Sequence, residues 1–257
     1  MSNWGAQFLQ LGWFTPNARN LSASGLFELL FGRQPDQIQQ NKVPTPAAPF
    51  LSFASSVEGD VEYRVISQPG RIDAYILVPD DLSVSRSGAP ILAKTDAHLT
   101  LLQERVGAGC EFVGESLRLA LVLNLLQQMD SVDAATKLIN ERIGGMIPFD
   151  GASDLNVQVN RRRQLKSVPH TQINRLNRFA VVILQQINMA LAGPFQQSDQ
   201  PLSVVNEFIA ANHHIDVNTV PSGQGLTPGQ QVQIWNEMFA EALRIRQIGS
   251  LMALGDS

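Results

Sequence analysis

Between Phe50 and Pro79, apolar and polar residues alternate in short blocks separated by turn residues, and this pattern predicts three strands in a meander. The first is an apolar run from Phe50 to Val57, closed by Glu58-Gly59-Asp60. The second, Val61 to Ile66, sets Val61, Tyr63 and Val65 against Glu62 and Arg64, as a strand with one wet face does. The third, Ile72 to Val78, follows Gln68-Pro69-Gly70-Arg71, where Pro pre-sets the first central φ of a type II turn and Gly supplies the positive second one.

Upstream, Leu21 to Phe31 is apolar enough to be buried; Leu26, Leu29 and Leu30 fit a helix, while Phe27, Leu29 and Phe31 fit a strand. Four prolines between Arg33 and Pro49 remove backbone donors and restrict their predecessors, which predicts a loop. Leucines at 117, 119, 121, 123 and 125 recur with period two and predict a strand over Ser116 to Leu125. Ser131 to Ile143 reads as a helix, with Val132, Ala135, Leu138, Ile139 and Ile143 on one face, Asp133 in the first turn, Arg142 in the last and Gly144-Gly145 as the stop. A turn around Phe149-Asp150-Gly151 then precedes an alternating, half-exposed strand over Leu155 to Asn160.

From Thr171 the spacing of Ile173, Leu176, Ala180, Leu184, Ile187 and Leu191 predicts a helix ending at Gly193-Pro194, against the strand preference of Val181-Val182-Ile183. Leu202, Val205, Phe208 and Ile209 predict a second helix. Thr227-Pro228-Gly229-Gln230 combines a capping box with a first-turn proline, opening a helix whose buried stripe is Val232, Trp235, Met238, Phe239, Ala242 and Leu243. The order of elements argues for an α+β protein: an antiparallel β-sheet, built from the N-terminal meander plus middle strands, packed against helices, with a mainly helical C-terminal third. Residues 1–257 are expected to form a single α+β domain; a sub-division into a β-rich 1–80 and a mixed 92–257 would fall in the loop from Pro79 to Leu92.

Composition narrows the class further. With 44% hydrophobic and 16% charged residues and a net charge of −4, the chain is neither disordered nor fibrous in character. Asparagine and glutamine number 38, an amide-rich polar surface that solvates without long-range repulsion and leaves the chain free to associate. The N-terminus carries no basic and apolar leader pattern and no apolar run long enough to span a bilayer occurs, which predicts a cytoplasmic protein. One cysteine and four scattered histidines give no zinc-site spacing, and neither a metal nor a cofactor is expected.

Signatures of phosphate cradles, dinucleotide folds, nucleophile elbows and calcium loops are absent. Cys110 is the single thiol; an enzyme built on it would need His98, His170, His213 or His214 beside it, and with Glu111 adjacent it reads instead as a packed small hydrophobe. The pairs Asp80-Asp81, Asp150 with Asp154, and Glu111 with Glu115 read as loop or turn chemistry rather than as a general acid and base. His213-His214 is read as complementing the negative end of the helix expected before it.

One feature stands out from this background. No acidic residue occurs between Asp154 and Asp199, whereas Arg161, Arg162, Arg163, Lys166, Arg175 and Arg178 all do, together with His170. On an extended segment Arg161 and Arg163 share a face with Arg162 opposite. These seven residues are the candidate site: an anion-binding, nucleic-acid-binding or protein-interface patch, or a set of arginines paired with the acidic remainder of the fold. The leading expectation is a non-catalytic binding or assembly protein, a homo-oligomer or a subunit of a larger complex, with Trp235 and Phe239 as an anchor if exposed. The alternative is a nucleic-acid-binding protein using this island mainly through phosphate contacts; an enzyme ranks behind both.

Overall fold

The computed structural model describes residues 4–79, 88–145, 152, 154–188 and 203–255. Among these, nine strands form one antiparallel sheet and four α-helices pack on it. The strands are β1 (Gly5–Phe14), β2 (Gln37–Gln40), β3 (Ser52–Glu58), β4 (Val61–Gln68), β5 (Arg71–Leu77), β6 (Arg118–Met129), β7 (Asn156–Gln164), β8 (Gln172–Asn188) and β9 (Ser203–Thr219). The helices are α1 (Ala23–Phe31), α2 (Thr95–Val113), α3 (Val132–Ile143) and α4 (Pro228–Ile248). Strand order across the sheet is β2-β3-β4-β5-β1-β6-β9-β8-β7, so the N-terminal strand joins the meander to the middle strands.

The expected meander is present as β3, β4 and β5, and the turn between the last two places Gly70 at φ 78°, the conformation only glycine adopts without strain. The period-two leucines form β6, and α3 begins on Ser131, whose side chain accepts from the Ala134 amide, and stops at Gly144. The ambiguous Leu21–Phe31 segment is helical: Ser22 caps α1, and Leu26, Phe27, Leu30 and Phe31 are all buried. The proline-rich loop contains the short exposed edge strand β2. The expected turn at Phe149-Asp150-Gly151 lies outside the described residues.

The expectation of a mainly helical C-terminal third is corrected. Thr171–Leu191 and Leu202–Ile209 were expected to be helices, but β8 and β9 occupy those regions as far as the structure describes them, and only α4 follows. The period-two pattern of β8 is hidden because its buried face carries Arg175 and Asn177 between Ile173 and Phe179, while its other face carries Leu176, Ala180 and Val182. Apolar residues on both faces of a strand imitate a helical stripe when the buried polar groups are assumed to point outward. Beyond Ile209 and Leu155, residues 184–188 and 203–208 pair only with each other among the described residues, so the β8–β9 hairpin continues past its neighbours as a two-stranded ribbon.

All four helices lie on one face of the sheet, α1 over β3 and β4, α2 between α1 and α4, α4 over β6 and β9, and α3 over β8 and β9. The core is filled from this side. Trp13 of β1 and Trp235 of α4 meet at 5.3 Å between ring centroids, Phe239 adjoins Trp235, and Leu9, Leu11, Leu121 and Leu123 extend the layer. Each such side chain contributes roughly 1.5–3 kcal/mol on burial. The capping box of α4 is complete, Thr227 accepting from the Gln230 amide while the Gln230 side chain accepts from the Thr227 amide. Trp235 and Phe239 are fully buried and are core residues, not an exposed anchor.

Candidate binding site

The seven residues of the basic island are divided by the pleat of β7 and β8. Arg161, Arg163 and Arg175 project to the helix side, Arg162 and Arg178 to the opposite face, and Lys166 and His170 stand in the loop between the two strands. His170 takes a left-handed backbone, φ 68°, at the corner of that loop, a conformation histidine tolerates better than most residues.

On the helix side, acidic residues of α4 meet the arginines. Glu241 receives Arg175 at 3.2 Å, Arg163 at 3.4 Å and Arg244 at 2.7 Å. Glu237 accepts from the backbone amides of Lys166 and Ser167 at 3.1 and 2.6 Å and faces Arg163 at 3.5 Å. Burial pushes both carboxyls up, but the hydrogen bonds and neighbouring charges prevail and hold them below the usual range: Ser167, Lys166 and Arg163 for Glu237, and Arg244, Arg163 and Arg175 for Glu241. Arg161 and Arg175 also reach the carbonyl oxygen of Leu254 at 3.4 and 3.5 Å. Arg163, Lys166, Ser167, Glu237, Glu241 and Arg244 line a cleft of about 530 Å³ between α4 and the β7–β8 loop. The inward half of the island is therefore largely neutralised within the fold.

The other face of the sheet carries no helix among the described residues, and here the amide-rich composition acquires a structural meaning. The register places Arg64, Tyr75, Gln10, Val122, Asp216, Leu176 and Asn160 in one row across seven strands, and Asp73, Gly12, Ala120, Asn218, Asn174 and Arg162 in the next. Neighbours in and between these rows hydrogen-bond one another: Gln10 to Asp73 at 2.9 Å and to Tyr75 at 3.0 Å, Arg118 to Asn218 at 2.9 Å, Asn174 to Asn218 at 2.9 Å, and Arg162 to Asn174 at 3.3 Å. Gly12 permits this arrangement on β1, since a Cβ there would stand 2.8 Å from Asp73 Oδ1. Phe14 stands between its two strand neighbours Arg71 and Arg118, whose guanidinium carbons lie 4.6 and 4.9 Å from its ring centroid. Sequence reasoning missed this site because its members are dispersed from Phe14 to Asn218 and only the pairing register assembles them.

The β7 strand is the last in the sheet, and its outer edge pairs with no described strand. Hydrogen bonds from Leu165 N to Thr171 O and from Val181 N to Leu155 O fix which residues turn inward. The alternate residues Asn156, Gln158, Asn160, Arg162 and Gln164 therefore direct their backbone N–H and C=O groups outward.

The remaining candidates for chemistry sit apart from one another. His213 and His214 do not follow a helix end; they lie within β9 on opposite faces. His213 is fully buried, stacked on Phe179 at 4.3 Å, with Nε2 2.8 Å from Asn177 Oδ1. Burial, with the nearby His214 and Arg142, brings its pKa down to about 3. Cys110 is buried in the core, and burial pushes its thiol up to about 12. Asp80, Asp81 and Asp150 lie outside the described residues, and Glu111 and Glu115 are exposed. Among the described residues no group of three His, Cys, Asp or Glu is placed to hold a metal ion, and no helix is long and apolar enough to cross a membrane. No family model, curated protein or solved structure matches the chain.

Proposed function

We propose that this protein is a non-catalytic binding or assembly protein that joins a second copy of itself, or a larger complex, through the outer edge of β7. The observation that carries the reading is the row of outward backbone groups from Asn156 to Gln164, a ready template for strand addition. Arg161, Arg162 and Arg163 on that strand disfavour in-register stacking of like edges and select a partner strand that is offset or acidic. The buried, poorly ionisable Cys110 and the dispersed histidines support a binding role over a catalytic one.

The test is the oligomeric state of the protein by light scattering, together with nuclease-treated pull-down from its native extract. Asn160→Pro removes an outward N–H without taking a bond from the β7–β8 ladder. The wild type should be oligomeric or hold a stoichiometric protein partner after nuclease, and N160P should lose that association at an unchanged melting temperature. A monomeric wild type that retains no protein overturns the reading, as does an association indifferent to N160P.

A further inference from the structure

We propose that the helix-free face of the sheet, from β5 across to β7, binds single-stranded nucleic acid. This surface is distinct from the β7 edge, and three observations converge on it.

The first is charge. Among the described residues, Arg118, Arg162 and Arg178 stand on this face with no carboxylate in ion-pair contact, and Arg178 Nε has no hydrogen-bond partner. The acidic groups on the same face are mostly committed: Glu62 is held by Arg64 at 2.7 Å and Asp73 by Arg71 at 2.7 Å, leaving Asp216 against three free cations. On a chain of net charge −4, an excess of guanidinium confined to one sheet face favours an anionic ligand. Each guanidinium has five donors, and among the described residues Arg118 and Arg162 commit one each, to Asn218 and Asn174.

The second is stacking. The Arg71–Phe14–Arg118 sandwich presents two flat guanidinium planes, and Tyr75 stands two rows away on β5, partly exposed. Unstacked bases rest on such planes and rings, whereas an acidic peptide has no use for them. The third is the pair of amides Asn160, exposed, and Asn174, half-buried, which offer donors and acceptors to base edges and are braced by the buried Asn218. No element among the described residues rises from this face to enter a duplex groove, so the bases must come to the sheet. From β1 to β7 the platform is about 19 Å wide at the ordinary strand spacing, room for several nucleotides.

The experiment is fluorescence anisotropy of labelled single-stranded DNA and RNA of about 12 nucleotides with the full chain, titrated at about 50 mM salt and again at higher salt. Single strands should bind more tightly than the matching duplex. R162E with R178E should weaken binding at least roughly tenfold and flatten the salt dependence by about two phosphate contacts, while R105E, a single reversal on the helical side, should change it by much less than half as much on a logarithmic scale. Phe14→Ala should weaken binding about tenfold with the salt slope unchanged. If the double reversal proves unstable, R162Q with R178Q carries the same test with a smaller effect. Absence of binding to either strand type, an equal preference for duplex, equal sensitivity to R105E, or capture of an acidic protein in place of the oligonucleotides each overturns the proposal. Oligomeric state with N160P is read separately, so failure here leaves the β7-edge reading standing, and the reverse holds too.

Discussion

Arg175 of β8 and Glu241 of α4 meet at 3.2 Å with each side chain 2% exposed, tying the inward half of the basic island to the C-terminal helix. Because Arg163 and Arg244 share the same carboxylate, removing it takes a buried anionic partner from three guanidiniums at the sheet–helix junction at once. Glu241→Ala is therefore expected to destabilise the fold by about 3–5 kcal/mol, whereas Arg175→Met combined with Glu241→Leu should cost clearly less, since it leaves fewer buried charges without partners. Urea unfolding of the two variants checks the order, and an E241A variant as stable as the wild type would mean the pair is not desolvated.

That pair also explains what could be read from the chain and what could not. The strands β4, β6 and β7 are legible because the apolar residues of their helix-facing side recur with period two. Strand β8 is not, because Arg175 and Asn177 belong to the buried face and find their partners on α4 and the segment after it, contacts with no local signature. The alternation of Leu9, Leu11 and Trp13 in β1, and the spacing of Leu99, Leu102, Val106 and Cys110 in α2, were signals present in the chain but left unread. For the candidate site, the charge asymmetry is legible in the chain as a cluster; its division between the two sheet faces depends on strand pleat, and the neutralisation of its helix-side half on Glu237 and Glu241, some 60 to 80 residues further along.

His213 makes stability depend on pH in a definite direction. Asn177 Oδ1 can only accept, so Nε2 donates to it and the buried ring is neutral, with Nδ1 unprotonated and without a partner. Its folded pKa of about 3 lies below the ordinary 6.5, so the unfolded chain binds the extra proton first as pH falls. Stability should be constant with respect to this group above pH 6.5 and decline below it, by up to about 1.4 kcal/mol per pH unit. The carboxyls of Glu237 and Glu241, held below their usual range, add their own loss only at lower pH. Urea midpoints between pH 7.5 and 5 should fall for the wild type and fall less steeply for His213→Gln, in which His214 and His98, also lowered by burial, still contribute; a slope unchanged by the substitution would assign the whole dependence to those two.

Cys110 should be inert in the folded protein. It is completely buried beside α4, and its thiol is pushed up to about 12, so almost no thiolate exists at neutral pH. An aromatic disulfide reagent should label it only as fast as the protein unfolds, and label it fully in denaturant. Cys110→Ala should be tolerated with a loss of about 1 kcal/mol, while Cys110→Ser, which places a hydroxyl among apolar neighbours, should lose more, about 1–3 kcal/mol. Rapid labelling of the native protein at neutral pH would contradict the burial on which this rests.

Asp73 links the polar face to its proposed ligand in a way that a charge-neutral substitution can isolate. Burial pushes its carboxyl up, against the opposing charge of Arg71 and the hydrogen bond from Gln10, at the β5 end of the proposed platform. Asp73→Asn keeps the shape and can still accept from Gln10 while releasing Arg71, which stacks on Phe14, from its ion pair. Affinity for single-stranded oligonucleotide should then rise about three- to tenfold at low salt, with a steeper salt dependence by about one phosphate contact. A parallel titration with Glu58→Gln, which releases Arg33 at the far edge of the sheet, should leave affinity unchanged. If D73N weakens binding instead, Asp73 serves to hold Arg71 in its stacking position, and the contribution of Arg71 is geometric rather than electrostatic.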